Sequence, residues 1–176
     1  MGESQELDLP LGFLFLPTDM ELLEYYLIPK LKGDPLPANM IGSLDDIYKY
    51  DPDQIPLDEL KYAREKEGHF FTQRSSDQSA SARATPSGNW IICKENIPIC
   101  RKNNEVIGFK NKFLFSNIKD PIDRDQISYW KIVEYRCNPD LISTSNKQME
   151  NLVICKVLHK TRVEKEDPDE EEEFEF

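Results

Sequence analysis

From residue 69 to residue 160 the chain is a succession of short runs dense in β-branched and aromatic side chains: HFFT, NWIIC, IPICR, VIGFKNKFLF, QISYWKIVEYR and NLVICKVLH. Such side chains suit a pleated, half-buried surface. The intervening segments, QRSSDQSASARATPSG, RKNNE and NPDLISTSNKQMEN, are polar and turn-forming. Nothing in this region alternates strand with helix, and no stretch repeats, so a doubly wound parallel sheet is not expected. The expected fold class is α+β: a twisted, mainly antiparallel β-sheet flanked by a few short helices. Its strands are expected around His69–Thr72, Asn89–Cys93, Val106–Phe115, Trp130–Arg136 and Leu152–Leu158, with the helices mostly before residue 65.

The segment before the sheet has its own signals. In LPTDMELLEYYLIP, Thr18 and Glu21 have capping-box spacing, and Leu22, Leu23, Tyr26 and Leu27 follow at helical intervals, predicting an amphipathic helix over roughly 19–28 that Pro29 stops. IYKYDPDQIP alternates aromatics and then meets Asp-Pro, which reads as a short strand running into a turn. The ending VEKEDPDEEEEFEF has no apolar periodicity and repels itself. Residues 1–8 are therefore read as an N-terminal extension, 9–162 as one domain and 163–176 as an acidic disordered tail. Phe174 and Phe176 among the glutamates resemble acidic activation segments.

Charge is distributed unevenly along the chain. The net charge is -11, yet residues 61–119 carry 11 basic groups against 5 acidic ones, while residues 1–60 carry 3 against 13 and residues 163–176 carry 1 against 9. A basic middle between acidic ends points to one face for a polyanion and another for a different partner. No apolar run approaches the ~20 residues needed to span a bilayer, so no membrane role is expected. The acidic start MGESQELDLP lacks the features of a secretory signal, so the protein is expected to stay inside the cell. Cys93, Cys100, Cys137 and Cys155 form no CxxC pair, and His69 and His159 have no zinc-like spacing, so neither a metal nor a cofactor is expected. Cys93 with His69, or Asp19 with Glu21, have only generic spacing as catalytic pairs, and no enzyme is expected.

The order of motifs resembles the NAC domain of plant transcription factors. LPLGFLFLPTDMELLEYYL stands where that family has LPPGFRFHPTDEEL and a Tyr-Leu helix. IYKYDP stands for DLYKFDP, HFFTQR for YFFSPR, SGNW for SGYW, VIGFKNKFLF for VGVKKALVF, WKIVEYR for WIMHEYRL and LVICKVLHK for WVLCRIYKK. The resemblance runs from about Leu9 to Lys160. It implies a dimer built at the N-terminal segment, double-stranded DNA bound by an outer strand in the major groove, and a nuclear location. DNA-binding positions carried over are Arg74, Arg83, Trp90, Lys94, Lys110 and Lys119, and dimer positions are Leu14, Leu16 and Glu21. The dimer is either a homodimer or a heterodimer with other NAC proteins.

Several positions depart from the family pattern. The lysine of WKATG is Ile91, and the second lysine of the KK pair is Asn111, with Lys112 one step further on. Asp120, Asp123 and Asp125 add acids to a loop that the family makes lysine-rich. The arginine of GFRF is Leu14, so a salt bridge to Glu21 across the two-fold cannot form. Phosphate-binding cations fix a protein on DNA and polar side chains read base edges, so these changes imply weakened DNA contacts. Plainer roles stand beside the functional ones: Trp90 as a core anchor, Arg101 and Lys102 in a solvated hairpin turn, Thr18 and Glu21 as a helix cap. Three readings stand: a DNA-binding transcription factor, an interaction module that pairs with intact relatives and modulates them, and, only as a foil, an unrelated β-rich enzyme.

Overall fold

The computed structural model describes residues 9–74, 79–118, 128–142 and 151–161. Lys119, Asp120, Asp123, Asp125 and the acidic tail lie outside the described residues. Six strands form one sheet: β1 (Gly42–Ser43), β2 (Glu67–Gln73), β3 (Gly88–Cys100), β4 (Val106–Asn117), β5 (Ser128–Cys137) and β6 (Leu152–Thr161). Their order is β1-β2-β6-β5-β4-β3, and only the β1–β2 pair is parallel. The expected α+β, mainly antiparallel architecture is the one observed.

A single helical element, α1 (residues 19–32), starts at the capping box: Thr18 Oγ1 accepts from the Glu21 amide and Glu21 Oε1 accepts from the Thr18 amide. Its middle, Leu22–Leu27, is π-helical, and Ile28–Lys32 returns to α. The helix therefore runs through Pro29 instead of stopping there. Proline sits in the first turn of the last α segment, where its missing N–H costs least. The stop is Gly33 at φ 77°, left-handed, with the Asp34 amide closing on the Pro29 carbonyl at 2.9 Å.

Apolar side chains occupy both faces of the sheet. On one face Leu22, Leu23 and Leu27 of α1 pack against Val133, Tyr135 and Ile154. Each fully buried leucine contributes about 1.5–3 kcal/mol. Gly108 permits that approach, since a Cβ there would lie 2.7 Å from Leu23 Cδ1 and 2.4 Å from the Arg136 carbonyl oxygen. On the other face Ile47, Tyr48 and Ile55 cover Phe70, Phe113 and Ile132. The segment expected as a strand at IYKYDP is instead a 3-10 turn, Ile47–Lys49. Asp46 accepts from the Tyr48 amide and so offers the backbone a turn in place of a ladder, and Ile47 and Tyr48 are buried by that turn.

NWIIC and IPICR, expected as separate runs, form one strand, β3. The turn that follows is the expected hairpin, with the Arg101 amide on the Glu105 carbonyl at 2.9 Å and Asn104 at φ 65°.

Candidate nucleic-acid interface

Among the described residues β3 is the last strand of the sheet order, paired along its length with β4 and, on its other side, touched only by the isolated Ala84–Asn89 bridge at its start. Its start is fixed by Asp51, which accepts from Thr85 Oγ1 at 2.6 Å, Ser87 Oγ at 2.8 Å and the Ser87 amide at 3.0 Å. Burial raises this carboxyl's pKa, but the hydrogen bonds outweigh it and hold it below the ordinary value. From here the strand alternates. Trp90 is 0% exposed, packs its ring against Phe115 at 5.1 Å and donates its indole N–H to the Tyr50 carbonyl at 3.2 Å. Ile91, its neighbour, is 41% exposed. Trp90 is thus the packing anchor beneath the strand and Ile91 is its outward side chain.

The strand is irregular in its middle. Ile92 stands opposite Phe113, Lys94 opposite Lys112 and Ile97 opposite Lys110, with register shifts between these pairs. β5 continues the rows, with Lys112 opposite Val133 and Lys110 opposite Tyr135. Residues directly opposite one another share a face. Lys94, Lys110 and Lys112 therefore share the α1 face with Val133 and Tyr135, while Asn111 points to the other. Lys110 and Lys112 are two apart on one strand and share that face, although Lys112 is only 5% exposed.

Most of the expected cations are engaged within the fold. Lys110 Nζ lies 2.8 Å from Asp19 Oδ2, and Tyr135 donates to Asp19 Oδ1 at 2.7 Å. Burial raises the Asp19 carboxyl, and these two donors more than reverse it, leaving its pKa lowered. Arg83 is buried, donates Nε to the Trp90 carbonyl at 3.2 Å and stacks over the Phe113 ring at 5.2 Å. Arg74 Nε lies 3.5 Å from Glu134 Oε1. The structure thus brings Lys94 and Lys110 together on one face and sets Arg74, Arg83 and Trp90 in or against the core.

A buried polar network behind β3 was not among the sequence expectations. Glu134, 1% exposed, accepts from Tyr48 Oη at 2.6 Å and from Asn111 Nδ2 at 3.1 Å. Asn111 Oδ1 accepts from the Asn96 amide at 2.8 Å, and Arg136 Nη2 donates to Asn96 Oδ1 while its guanidinium stacks on Phe109 at 4.6 Å. Burial, and then Arg74 nearby, lower the Arg136 pKa. The signal available in the sequence was a polar residue inside an apolar run, Asn111 in GFKNKFLF and Glu134 in KIVEYR.

The second surface is the N-terminal segment. Leu14 and Leu16 are 43% and 50% exposed, and with Phe13, Pro17, Glu21 and Tyr25 they line an open groove of about 510 Å³. Phe15 also lines the groove and packs its ring edge-on to His69 at 5.3 Å. The conceivable catalytic pairs are not assembled: His69 is buried on β2, with three strands between it and Cys93 on β3, while Asp19 holds Lys110 and Glu21 caps α1.

Comparison with known proteins matches the sequence to a family model and to curated relatives. The family described as No apical meristem (NAM) protein matches residues 10–137. The chain is 31% identical over 160 residues to NAC domain-containing protein 96 of Arabidopsis thaliana, covering 88% of this chain and 53% of that protein. It is 32% identical over 163 residues to Protein ATAF2 of Arabidopsis thaliana, covering 88% and 55%. It is 34% identical over 163 residues to NAC domain-containing protein 68 of Oryza sativa subsp. japonica, covering 88% and 50%. The chain belongs to the NAM, or NAC, family. It spans about half the length of these curated relatives.

Proposed function

We propose that residues 9–162 act as a NAC-type DNA-binding unit of a transcription regulator, working in the nucleus as a homodimer or as a heterodimer with other NAC proteins. The observation that carries the reading is the edge strand: β3 presents Ile91 outward and Lys94 on the same face as Lys110 and Lys112. A strand ribbon of this kind enters a major groove, with cations holding phosphates on either side. The contacts are reduced relative to the family pattern, because Ile91 offers only apolar contact and Lys110 is shared with Asp19. Each phosphate neutralised adds about 0.9 to the salt slope on duplex DNA, so binding is weak and its slope shallow. The N-terminal groove supplies the dimer contact, through Leu14 and Leu16 in place of an ion pair.

The engagement of Arg74, Arg83 and Lys110 inside the fold favours a second reading, in which the chain pairs with intact relatives and modulates them with little DNA contact of its own. Titration of a CGT-containing duplex at two salt concentrations, with wild type and with Ile91→Lys plus Asp123→Gly, separates the two. Weak salt-dependent binding that the double change strengthens supports the first reading. Tight wild-type binding that the double change leaves unaltered refutes the weakened contacts, and no binding by either protein favours the second reading. A fluorescent fusion that stays out of the nucleus removes the nuclear assignment.

A further inference from the structure

We infer that Asn111 is a positioning residue for the edge strand, holding in place the irregular stretch of β3 that carries Lys94 onto the face of Lys110 and Lys112; this rests on the DNA-binding reading. From Ile92 to Ile97 β3 advances five residues while β4 advances three, from Phe113 to Lys110. In a regular strand Lys94 would share the face of Ile92. The first extra residue turns it onto the face of Lys112, and the second returns the alternation before Ile97. Lys94 is thus the paired residue whose face the irregularity sets.

Extra residues leave backbone groups without a ladder partner, and here the Asn96 amide, on a residue at φ 55°, is taken up by Asn111 Oδ1 at 2.8 Å. The orientation of the Asn111 amide follows from donor and acceptor chemistry. Asn111 Nδ2 donates to Glu134 Oε1 at 3.1 Å, and the amide oxygen is left for Asn96. Glu134 is itself held by Tyr48 at 2.6 Å. Burial first, then the neighbouring thiol and carboxylate, push the Tyr48 hydroxyl well above its ordinary pKa and keep it a donor. A rigid chain of bonds therefore runs from Tyr48 through Glu134 and Asn111 to the backbone of the edge strand.

Position 111 is where the family pattern carries a lysine, and two accounts of it predict opposite signs. If Asn111 is a lost phosphate contact, Asn111→Lys strengthens DNA binding. If Asn111 positions Lys94, Asn111→Lys puts a cation into the buried network and weakens binding, by about tenfold. The full chain is titrated with the CGT-containing duplex across a salt series as wild type, Lys94→Gln, Asn111→Ala and the double variant. Lys94→Gln should lower the slope by about 0.9 in wild type and by much less in Asn111→Ala, because Lys94 is already misplaced there.

Amide exchange at Asn96, followed by NMR, should be slow in wild type and at least tenfold faster in Asn111→Ala. Should the alanine variant fail to fold, Asn111→Ser carries the same expectations. Additive slopes, or a gain of affinity in Asn111→Lys, overturn the inference. A wild-type Asn96 amide without protection overturns the positioning even if DNA binds. A wild type with no salt-dependent duplex binding overturns the DNA reading and, with it, the functional half.

Discussion

The N-terminal groove and the β3 edge both expose apolar side chains, but they are supported differently. Leu14, Leu16 and Tyr25 form a mostly apolar surface around one carboxylate, Glu21, which is already occupied in capping α1. Ile91 stands alone on a strand fixed from below by Trp90, at its start by Asp51 and at its bulge by Asn111, with lysines further along the same face. An apolar contact is held or strengthened as salt rises, whereas binding through cations to phosphate weakens steeply with salt. Assembly and DNA contact should therefore separate in a salt titration, and substitutions in one region should leave the other unmoved.

The largest expected effect tests the anchoring of the edge. Trp90→Ala should cost about 3–5 kcal/mol of stability in a denaturant melt, while Ile91→Lys one residue away should stay within about 0.5 kcal/mol. Equal losses would show that Ile91 is packed as firmly as Trp90. Leu14→Asp with Leu16→Asp should remove about 3 kcal/mol of apolar contact, which is about a hundredfold in dimer Kd by sedimentation velocity. Duplex binding per subunit should persist.

Acid should distinguish the two regions next. Burial, and then Lys156, pull the His69 imidazole from 6.5 to about 3, and its ring lies against Phe15 behind the groove. A histidine whose folded pKa is lowered contributes fully above 6.5, and that contribution is lost at about 1.4 kcal/mol per pH unit as pH falls toward 3. At pH 5 wild type should have lost about 2 kcal/mol relative to pH 7, a loss absent from His69→Phe. Parallel curves for the two proteins would disprove it. The smallest effect belongs to Ile91→Lys, which should steepen the duplex salt slope by about 0.9 and leave the dimer constant unchanged.

The strands were legible because each apolar run reports a local pleat, and Trp90 was legible as an anchor because it begins such a run. The capping box at Thr18 and Glu21 and the hairpin after Cys100 were equally local. The continuation of α1 through Pro29 was not, because the tertiary packing of Leu22, Leu23 and Leu27 holds a π-helical stretch that lets the helix resume. The candidate site was legible in position and illegible in chemistry. Lys110 is expected to face phosphate until Asp19, 91 residues away, is seen to claim it. Asn111 reads as a lost charge until Glu134, 23 residues away, shows which way its amide points. Motif matching fixes where a residue sits along the chain, and such long-range partners decide what is left of it for a ligand.

The pairing of β2 with β6 has a consequence for the order in which the protein takes shape during its synthesis. β2 ends at Gln73, and its antiparallel neighbour begins at Leu152. At about 5–20 residues per second on the ribosome, Phe70 and Phe71, which have only the two-residue β1 beside them, wait several seconds for their β6 neighbours, while the β3–β4 hairpin closes as soon as it emerges. The strand that joins the two halves of the sheet is made after all the others described, so the nascent chain holds an unpaired, aromatic edge until then. A chaperone that shields the HFFT run would act in that interval.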